Sequence, residues 1–259
     1  MKTIEITSTQ NDLVKFAVKL QDSKYRKKEK LILVDGAQTI EGLVFDGIVF
    51  EYFFVKKGNS IDDKMKINNL VLVNDEILKK ISTTKSPTQA VGIIKEPEID
   101  KNIFKKLNKI ALIDGIKDAG NLGTIIRSAV AFSIDGIILF NECVDLYNTK
   151  TLRATTQNIF KLPIIKTSDA EFVKELKKTH KLISTVVDSS CDFFNVELND
   201  KFILAFGSEA DGISQIIADL SDEKVTLEMD NNVESLNLGV CASIAFAIVR
   251  HKNKIEKWP

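Results

Sequence analysis

Three short stretches of the chain hold small polar residues beside glycine: Asp118-Ala119-Gly120-Asn121 with Arg127 just beyond, Gly207-Ser208-Glu209-Ala210-Asp211-Gly212, and Glu234-Ser235-Leu236-Asn237. Between them they offer a guanidinium, a carboxylate, hydroxyls and side-chain amides. Arg127 sits beside Ile126 in an otherwise apolar segment, and a guanidinium near a core needs an anion, either a structural carboxylate or a substrate phosphate. Asn121 can cap a helix. Gly207 lets a ligand approach the backbone, and Glu209 stands where a helix start can accommodate a carboxylate. Ser208 and Glu209 can equally be a cap and Gly212 a turn, just as Ser235 or Asn237 can cap the helix beyond them. Independent caps have no need to converge, yet each stretch comes after an apolar run of strand character, and this recurrence points to a shared site.

The elements that must hold these stretches read as an α/β chain. Ile110–Ile116 is an apolar, β-branched run suited to a strand buried on both faces. Leu122, Ile125, Ile126, Ala129 and Val130 recur at helical spacing, Ser133–Gly136 ends that helix, and Ile137–Phe140 begins another strand. A right-handed crossover puts the Asp118–Gly123 loop at the carboxyl edge of a parallel sheet, where such sheets bind ligands. The loop has neither Gly-Lys-Ser/Thr nor G-x-G-x-x-G, so neither a P-loop nor a nicotinamide cradle is indicated. Farther on, Thr149–Phe160 reads as a helix carrying Lys150 and Arg153. Strands are expected at Ile164–Lys166, Leu182–Val187, Phe202–Phe206 and Val225–Met229, with an amphipathic helix at Ala170–Lys178, another from about Ser214, and a long one at Leu238–Lys254.

The N-terminal part alternates in the same way. A helical pattern over Asn11–Leu20 leads into Lys24-Tyr25-Arg26-Lys27-Lys28-Glu29-Lys30, a cationic run with one aromatic ring, which reads as a phosphate-backbone contact or as a solvated face. Then come a strand at Leu31–Val34, a helix at Ala37–Phe45, strands at Phe50–Val55 and Leu70–Val73, a helix at Asp75–Ile81 and a strand at Val91–Ile94. Lys95-Glu96-Pro97-Glu98 closes this small α/β unit, and the polar Ile99–Asn108 stretch reads as a linker.

The 259 residues suffice for two domains, and 44% hydrophobic with 28% charged residues excludes a disordered or fibrous chain. No apolar run approaches the roughly 20 residues that cross a bilayer, and Met1–Leu13 has no signal-peptide core, so a soluble, cytoplasmic protein is expected. Cys143, Cys191 and Cys241 are widely separated, which suggests neither a disulfide framework nor a zinc site. The net charge of zero means that an anionic partner must be met by a local cluster.

Taken together, DAGNLGTIIRSA, FGSEADGIS and EMDNNVESLNLGVCASI resemble, in order and spacing over about residues 106–251, the three signature motifs of the SpoU (TrmH-like) branch of the SPOUT RNA methyltransferases. The N-terminal unit, through LILVDGAQTIEG and SPTQAVGIIK, resembles more loosely the family's substrate-binding domain, whose fold is like that of small ribosomal proteins. The resemblance implies an α/β chain with an RNA-binding domain at 1–97 and, at 106–259, a parallel-sheet methyltransferase domain closed by a trefoil knot. It implies catalytic roles for Asn121, Arg127, Glu209, Ser235 and Asn237. It also implies an S-adenosylmethionine site at Thr185, Gly207, Leu227, Met229 and Leu236, no metal, and a homodimer. The sequence departs from the pattern at Ala119, Ser133, Gln157-Asn158 and Glu228.

The expected function is therefore 2′-O-methylation of a ribose in structured RNA, large-subunit ribosomal RNA ahead of transfer RNA, with Lys24, Arg26, Lys27, Lys28 and Lys30 gripping the RNA. The rivals are a Rossmann-type oxidoreductase and an RNA-binding module that no longer methylates. No cysteine or histidine is evident as a nucleophile or base: Cys241 falls within an apolar helix, and His180 and His251 fall in charged helical segments away from the three loops.

Overall fold

The computed structural model describes residues 1–84, 88–198, 200–230, 232 and 235–255. Ser86 and Pro87 of the SPTQAVGIIK stretch, and Asn231, Val233 and Glu234 in the link expected before the last helix, lie outside the described residues. The chain divides into two compact units, Met1–Glu98 with Asp145–Gln157, and Ile99–Val144 with Asn158–Pro259.

The first unit runs β1 (Lys2–Glu5), α1 (Asp12–Lys19), α2 (Ser23–Glu29), β2 (Leu31–Asp35), α3 (Ala37–Phe45), β3 (Val49–Lys56), β4 (Lys66–Val73), α4 (Asp75–Ile81) and β5 (Ala90–Lys95). Its sheet has the order β1-β4-β3-β5-β2, with the β1–β4–β3 pairs parallel and β5 antiparallel to both neighbours. Val14, Ala17, Leu20, Phe54, Val71, Ile77 and Ile93 form its core. Two elements depart from the sequence reading. The mostly exposed β1 lacks an apolar run and owes its strand to edge pairing with β4. The cationic run is itself a helix, α2, because Asp22 caps its start and Lys30, at φ +53°, turns the chain out of it.

In the second unit, β6 (Lys109–Asp114), α5 (Ala119–Ala131) and β7 (Gly136–Phe140) form the expected β-α-β unit. Over Asp145–Gln157 the chain rejoins the first unit, carrying α6 (Thr149–Thr155). The helix expected to reach Phe160 ends at Thr155, because Thr156 turns to φ +54° before a 3-10 turn. Gln157 lies so close over α3 that a Cβ on Gly42 would stand 2.3 Å from its Cβ, so this family departure is packed against a glycine. The remaining elements are β8 (Ile164–Thr167), α7 (Ala170–Lys177), β9 (Lys181–Thr185), β10 (Phe202–Gly207), α8 (Gln215–Leu220), β11 (Glu223–Val225) and α9 (Leu238–Ile255).

The second sheet has the order β11-β9-β10-β6-β7-β8, with every strand pair parallel. Its central strands are buried along nearly their whole length, as the unbroken apolar runs require. Ile110, Leu112, Ile203 and Ala205 face a cluster with α7 and α8, while alternate residues such as Phe206 meet α9, where Phe206 and Phe246 pack edge to face at 5.6 Å. The Ile99–Asn108 linker is anchored by Phe104, fully buried in that same cluster. The strand expected at Val225–Met229 stops at Val225. Thr226 makes an isolated bridge to Asp192, and Leu227 and Met229 turn to other use.

Candidate functional site

The carboxyl ends of β9 and β10 open onto a cleft of about 330 Å³, lined from the second unit alone. Thr185 comes from β9, Gly207 from the end of β10, and Leu227, Met229, Ser235 and Leu236 from the segment before α9. The wall beyond β10 is a tight loop in which Ser208 N donates to Gly212 O at 3.1 Å and Gly212 N donates back to Ser208 O at 3.0 Å. Gly207 is what permits it. A Cβ there would lie 2.0 Å from Gly212 C and 2.2 Å from Ile213 N, both backbone atoms that cannot swing aside. Thr185 Oγ1 donates to Ala205 O at 3.1 Å, and Thr226 Oγ1 donates to Val187 O at 2.9 Å, so the opposite rim is pinned as well.

Three polar side chains are chained at the mouth. Asp118, not Asn121, caps α5, accepting from Asn121 N at 2.8 Å, which corrects the expected cap. The Asn121 amide is thereby left for tertiary contacts: its Nδ2 donates to Glu209 Oε1 in a short hydrogen bond, and its Oδ1 accepts from Asn237 Nδ2 at 2.9 Å. Asn237 Oδ1 in turn accepts from Val240 N at 3.2 Å, tying the chain to the start of α9. Each amide has one orientation in which all these bonds are made. Glu209 and Ser235 also line the cleft, so the three loops meet at one opening.

Arg127 is elsewhere. It is exposed, and among the described residues its guanidinium has no carboxylate or hydrogen-bond partner. It lines a second, shallow groove with Thr124, Ser128, Phe132 and Asn158. The expectation of an Arg held near the core was wrong because position 127 falls on the solvent side of α5, whose buried face is Leu122, Ile125, Ile126 and Ala129.

In the first unit, Lys24, Lys27, Lys28 and Lys30 are exposed on or beside α2. Arg26 is not part of that surface, and this corrects the expected grouping. It is 5% exposed, donates from NH1 to Leu20 O at 2.9 Å and Gln21 O at 2.7 Å, and forms an ion pair with Asp145. Tyr25 packs edge to face on Phe16 at 5.9 Å, so its ring serves the core.

Cys143 and His180 are placed for packing, whereas Cys191 is partly exposed and His251 is exposed on α9. Cys143 is buried, and burial pushes its thiol up. Cys241 does line the cleft, but burial pushes its thiol up to about 11, which leaves it protonated near neutrality. His180, expected in a charged helical segment, falls just beyond α7; it is 2% exposed, and its ring bonds to the backbone oxygens of Leu176 and Leu107. Sequence reasoning also missed Val186, Thr226, Leu238 and Cys241 as cleft residues. Thr226 adjoins the marked Leu227; the others carry only apolar or small side chains and give no signal of chemistry.

The cleft suits a nucleoside carrying a short amino-acid chain. Its volume lies within the roughly 300–1,000 Å³ of small-molecule sites, and Leu227, Met229, Leu236 and Ile213 supply an apolar wall beside exposed backbone and the hydroxyls of Thr185 and Thr226. The close approach at Gly207 lets the Ser208–Gly212 loop pack its backbone directly against the end of β10 beside that wall.

Comparison with known proteins gives the same picture. Residues 108–247 match the sequence model of the SpoU rRNA Methylase family, and residues 11–92 that of the MRM3-like substrate binding domain. The 23S rRNA (guanosine(2553)-2′-O)-methyltransferase of Bacillus subtilis (strain 168) is 29% identical over 247 residues, 94% of this chain and 97% of that protein. The fold is shared with an AdoMet-bound rRNA methyltransferase from Sinorhizobium meliloti (TM-score 0.84, 23% identity, 96% and 98% of the two chains). It is shared too with the SpoU methyltransferase AviRb from Streptomyces viridochromogenes in complex with AdoMet (TM-score 0.85, 20% identity, 95% and 99%).

Proposed function

The chain belongs to the SpoU rRNA Methylase family, and from that premise we propose that it methylates the 2′ hydroxyl of a ribose in structured RNA, with S-adenosylmethionine as donor and large-subunit ribosomal RNA as substrate class. One observation carries the reading. Thr185, Gly207, Leu227, Met229 and Leu236, the residues that the family resemblance assigns to the cofactor, all line one cleft, and the Asn121–Glu209–Asn237 chain stands at its mouth. The substrate class is supported by the printed activity of the Bacillus subtilis relative and by the match of residues 11–92 to a substrate-binding domain.

When bound, S-adenosylmethionine supplies an electrophilic methyl group on a sulfonium. The protein's part is to hold a ribose hydroxyl in line with it and to keep the two in reach, an entropic contribution that can be large. The Glu209 carboxylate accepts a hydrogen bond and favours the approach of a hydroxyl, while Asn121 and Asn237 fix its orientation. Ser235 offers a hydroxyl on the same rim. The family resemblance gives Arg127 the ribose hydroxyl, as base or orienting group, and its exposed place in the groove on α5 leaves its guanidinium open to an RNA laid across that groove.

In this reading residues 1–97 bind RNA through Lys24, Lys27, Lys28 and Lys30, and residues 106–259 carry out the transfer. By the family resemblance the C-terminal domain carries a trefoil knot, and the working form is a cytoplasmic homodimer. Among the described residues no helix is long and apolar enough to cross a membrane. Titration calorimetry with S-adenosylmethionine, followed by transfer of labelled methyl to protein-free ribosomal RNA, tests the proposal. Saturable cofactor binding with label in RNA is expected. RNA binding without cofactor binding would leave only a recognition module.

A further inference from the structure

The carboxyl ends of β7 and β8 carry a further polar cleft, and we propose that it holds backbone phosphates of the RNA substrate; this rests on the RNA-methyltransferase reading above. The cleft has a volume of about 390 Å³ and is lined by Asn141, Glu142, Lys166, Thr167 and Ser168. Its shape is fixed. Asn141 N donates to Thr167 O at 3.0 Å, and Asn141, at φ +61°, donates from Nδ2 to Asp114 Oδ1 at 2.6 Å. Asp114 is 3% exposed, and its other oxygen accepts from Ser214 N at 2.8 Å.

Three lysines are gathered there by neutral oxygens. Lys166 Nζ donates to Cys143 O at 2.7 Å, Lys117 Nζ to Glu142 O at 2.7 Å, and Lys101 Nζ to Thr167 Oγ1 at 3.4 Å. Among the described residues neither Lys101 nor Lys166 has a carboxylate partner. Lys117 has only Glu142, at 3.8 Å, with the Glu142 side chain 99% exposed. The other acids nearby are engaged: Asp169 caps α7, and Glu171 pairs with Lys174 at 2.6 Å.

A surface lysine ordinarily roams in solvent or pairs with an acid. Here three ammonium groups are held around one polar cleft against a single exposed carboxylate, Glu142, which leaves an excess of local positive charge. Lysine with Asn, Ser and Thr side chains is the donor set that grips phosphate oxygens and ribose hydroxyls. The shallow site also lies on the carboxyl edge of the same parallel sheet that carries the cofactor cleft.

The test is binding of protein-free large-subunit ribosomal RNA over a range of KCl concentrations to wild type, to Lys101→Gln, Lys117→Gln and Lys166→Gln, and to the triple variant. Glutamine keeps a donor for each neutral oxygen while removing the charge. Each single change should reduce the slope of log K against log salt by about 0.7–0.9 and the triple change by about 2–3, with S-adenosylmethionine affinity unchanged. Glu142→Gln, at a fully exposed side chain, should tighten RNA binding. Wild-type slopes in the triple variant, alongside an unmoved Glu142→Gln, would overturn the assignment. A wild-type protein that binds no RNA would overturn the RNA reading itself and the cleft's role with it.

Discussion

Replacing Gly207 by alanine puts a single methyl group where the structure has backbone. The new Cβ would stand 2.0 Å from Gly212 C, and ordinary contact begins at about 3.4 Å, so the Ser208–Gly212 loop must retreat by about 1.4 Å. Overpacking of this kind costs about 1–3 kcal/mol. The retreat also threatens the paired Ser208–Gly212 hydrogen bonds, each worth about 0.5–1.5 kcal/mol. Glu209 rides on that loop, and a displacement of about 1 Å in a positioned group can lower a rate about 100-fold. Gly207→Ala is therefore expected to lose at least about tenfold in S-adenosylmethionine affinity, or about 1.4 kcal/mol, by calorimetry, and about 100-fold in methyl transfer, while still melting cooperatively. Gly212→Ala is the contrast. No atom lies within 4 Å of its added Cβ, and only the +66° φ opposes it, at about 1–2 kcal/mol, so its effect on affinity should be the smaller. A Gly207→Ala protein that binds cofactor and methylates as wild type would refute the close-approach argument.

Arg127→Ala should abolish methyl transfer with cofactor affinity nearly unchanged, since Arg127 lies outside the cofactor cleft; Lys should not rescue it, and substantial activity in the Ala variant would remove the role. Cys143→Ser, Cys191→Ser and Cys241→Ala should each still methylate, and the pH–rate profile between about pH 6 and 9 should keep its shape in Cys241→Ala, because a thiol pushed up to about 11 forms little thiolate there. Arg26→Ala should destabilise the protein by about 1–3 kcal/mol, by leaving Leu20 O and Gln21 O without their donor and the partly exposed Asp145 without its cation, yet leave the salt slope of RNA binding unchanged. Burial pushes the Asp145 carboxyl up, but hydrogen bonds from Ser23 and Arg26 together hold it below the usual range. Its contribution to stability is thus full above the unfolded carboxyl pKa of about 3.9 and lost as pH falls below it, so the stability gap between wild type and Asp145→Asn should close in acid.

What the sequence made legible was periodicity and punctuation. The bounds of α3 and α4 coincide with the apolar spacing that predicts them, and the buried strands β6, β7 and β10 track their unbroken apolar runs. What escaped it depends on partners distant in the chain. β1 exists because β4 offers a free edge, and Arg26 is buried because Asp145 arrives from a segment more than a hundred residues away. Leu227 and Met229 alternate like strand residues but serve a cleft wall, where backbone pairing has ended. Asn121 was legible as polar and helix-initiating, yet only the tertiary structure shows that Asp118 takes the cap and frees the amide for Glu209 and Asn237. The exposure of Arg127 is a matter of helical phase, one step from the buried Ile126.

The central claim is that the methyl group goes to a ribose oxygen and not to a base. Ribosomal RNA treated with the protein and S-adenosylmethionine, then partially hydrolysed in alkali and read by primer extension, tests it directly. Alkaline cleavage needs a free 2′ hydroxyl, so a new gap in the ladder on the 3′ side of one nucleotide is expected, absent when Arg127→Ala protein is used. Methylated RNA that alkali still cuts at every position would place the methyl on a base and contradict the account.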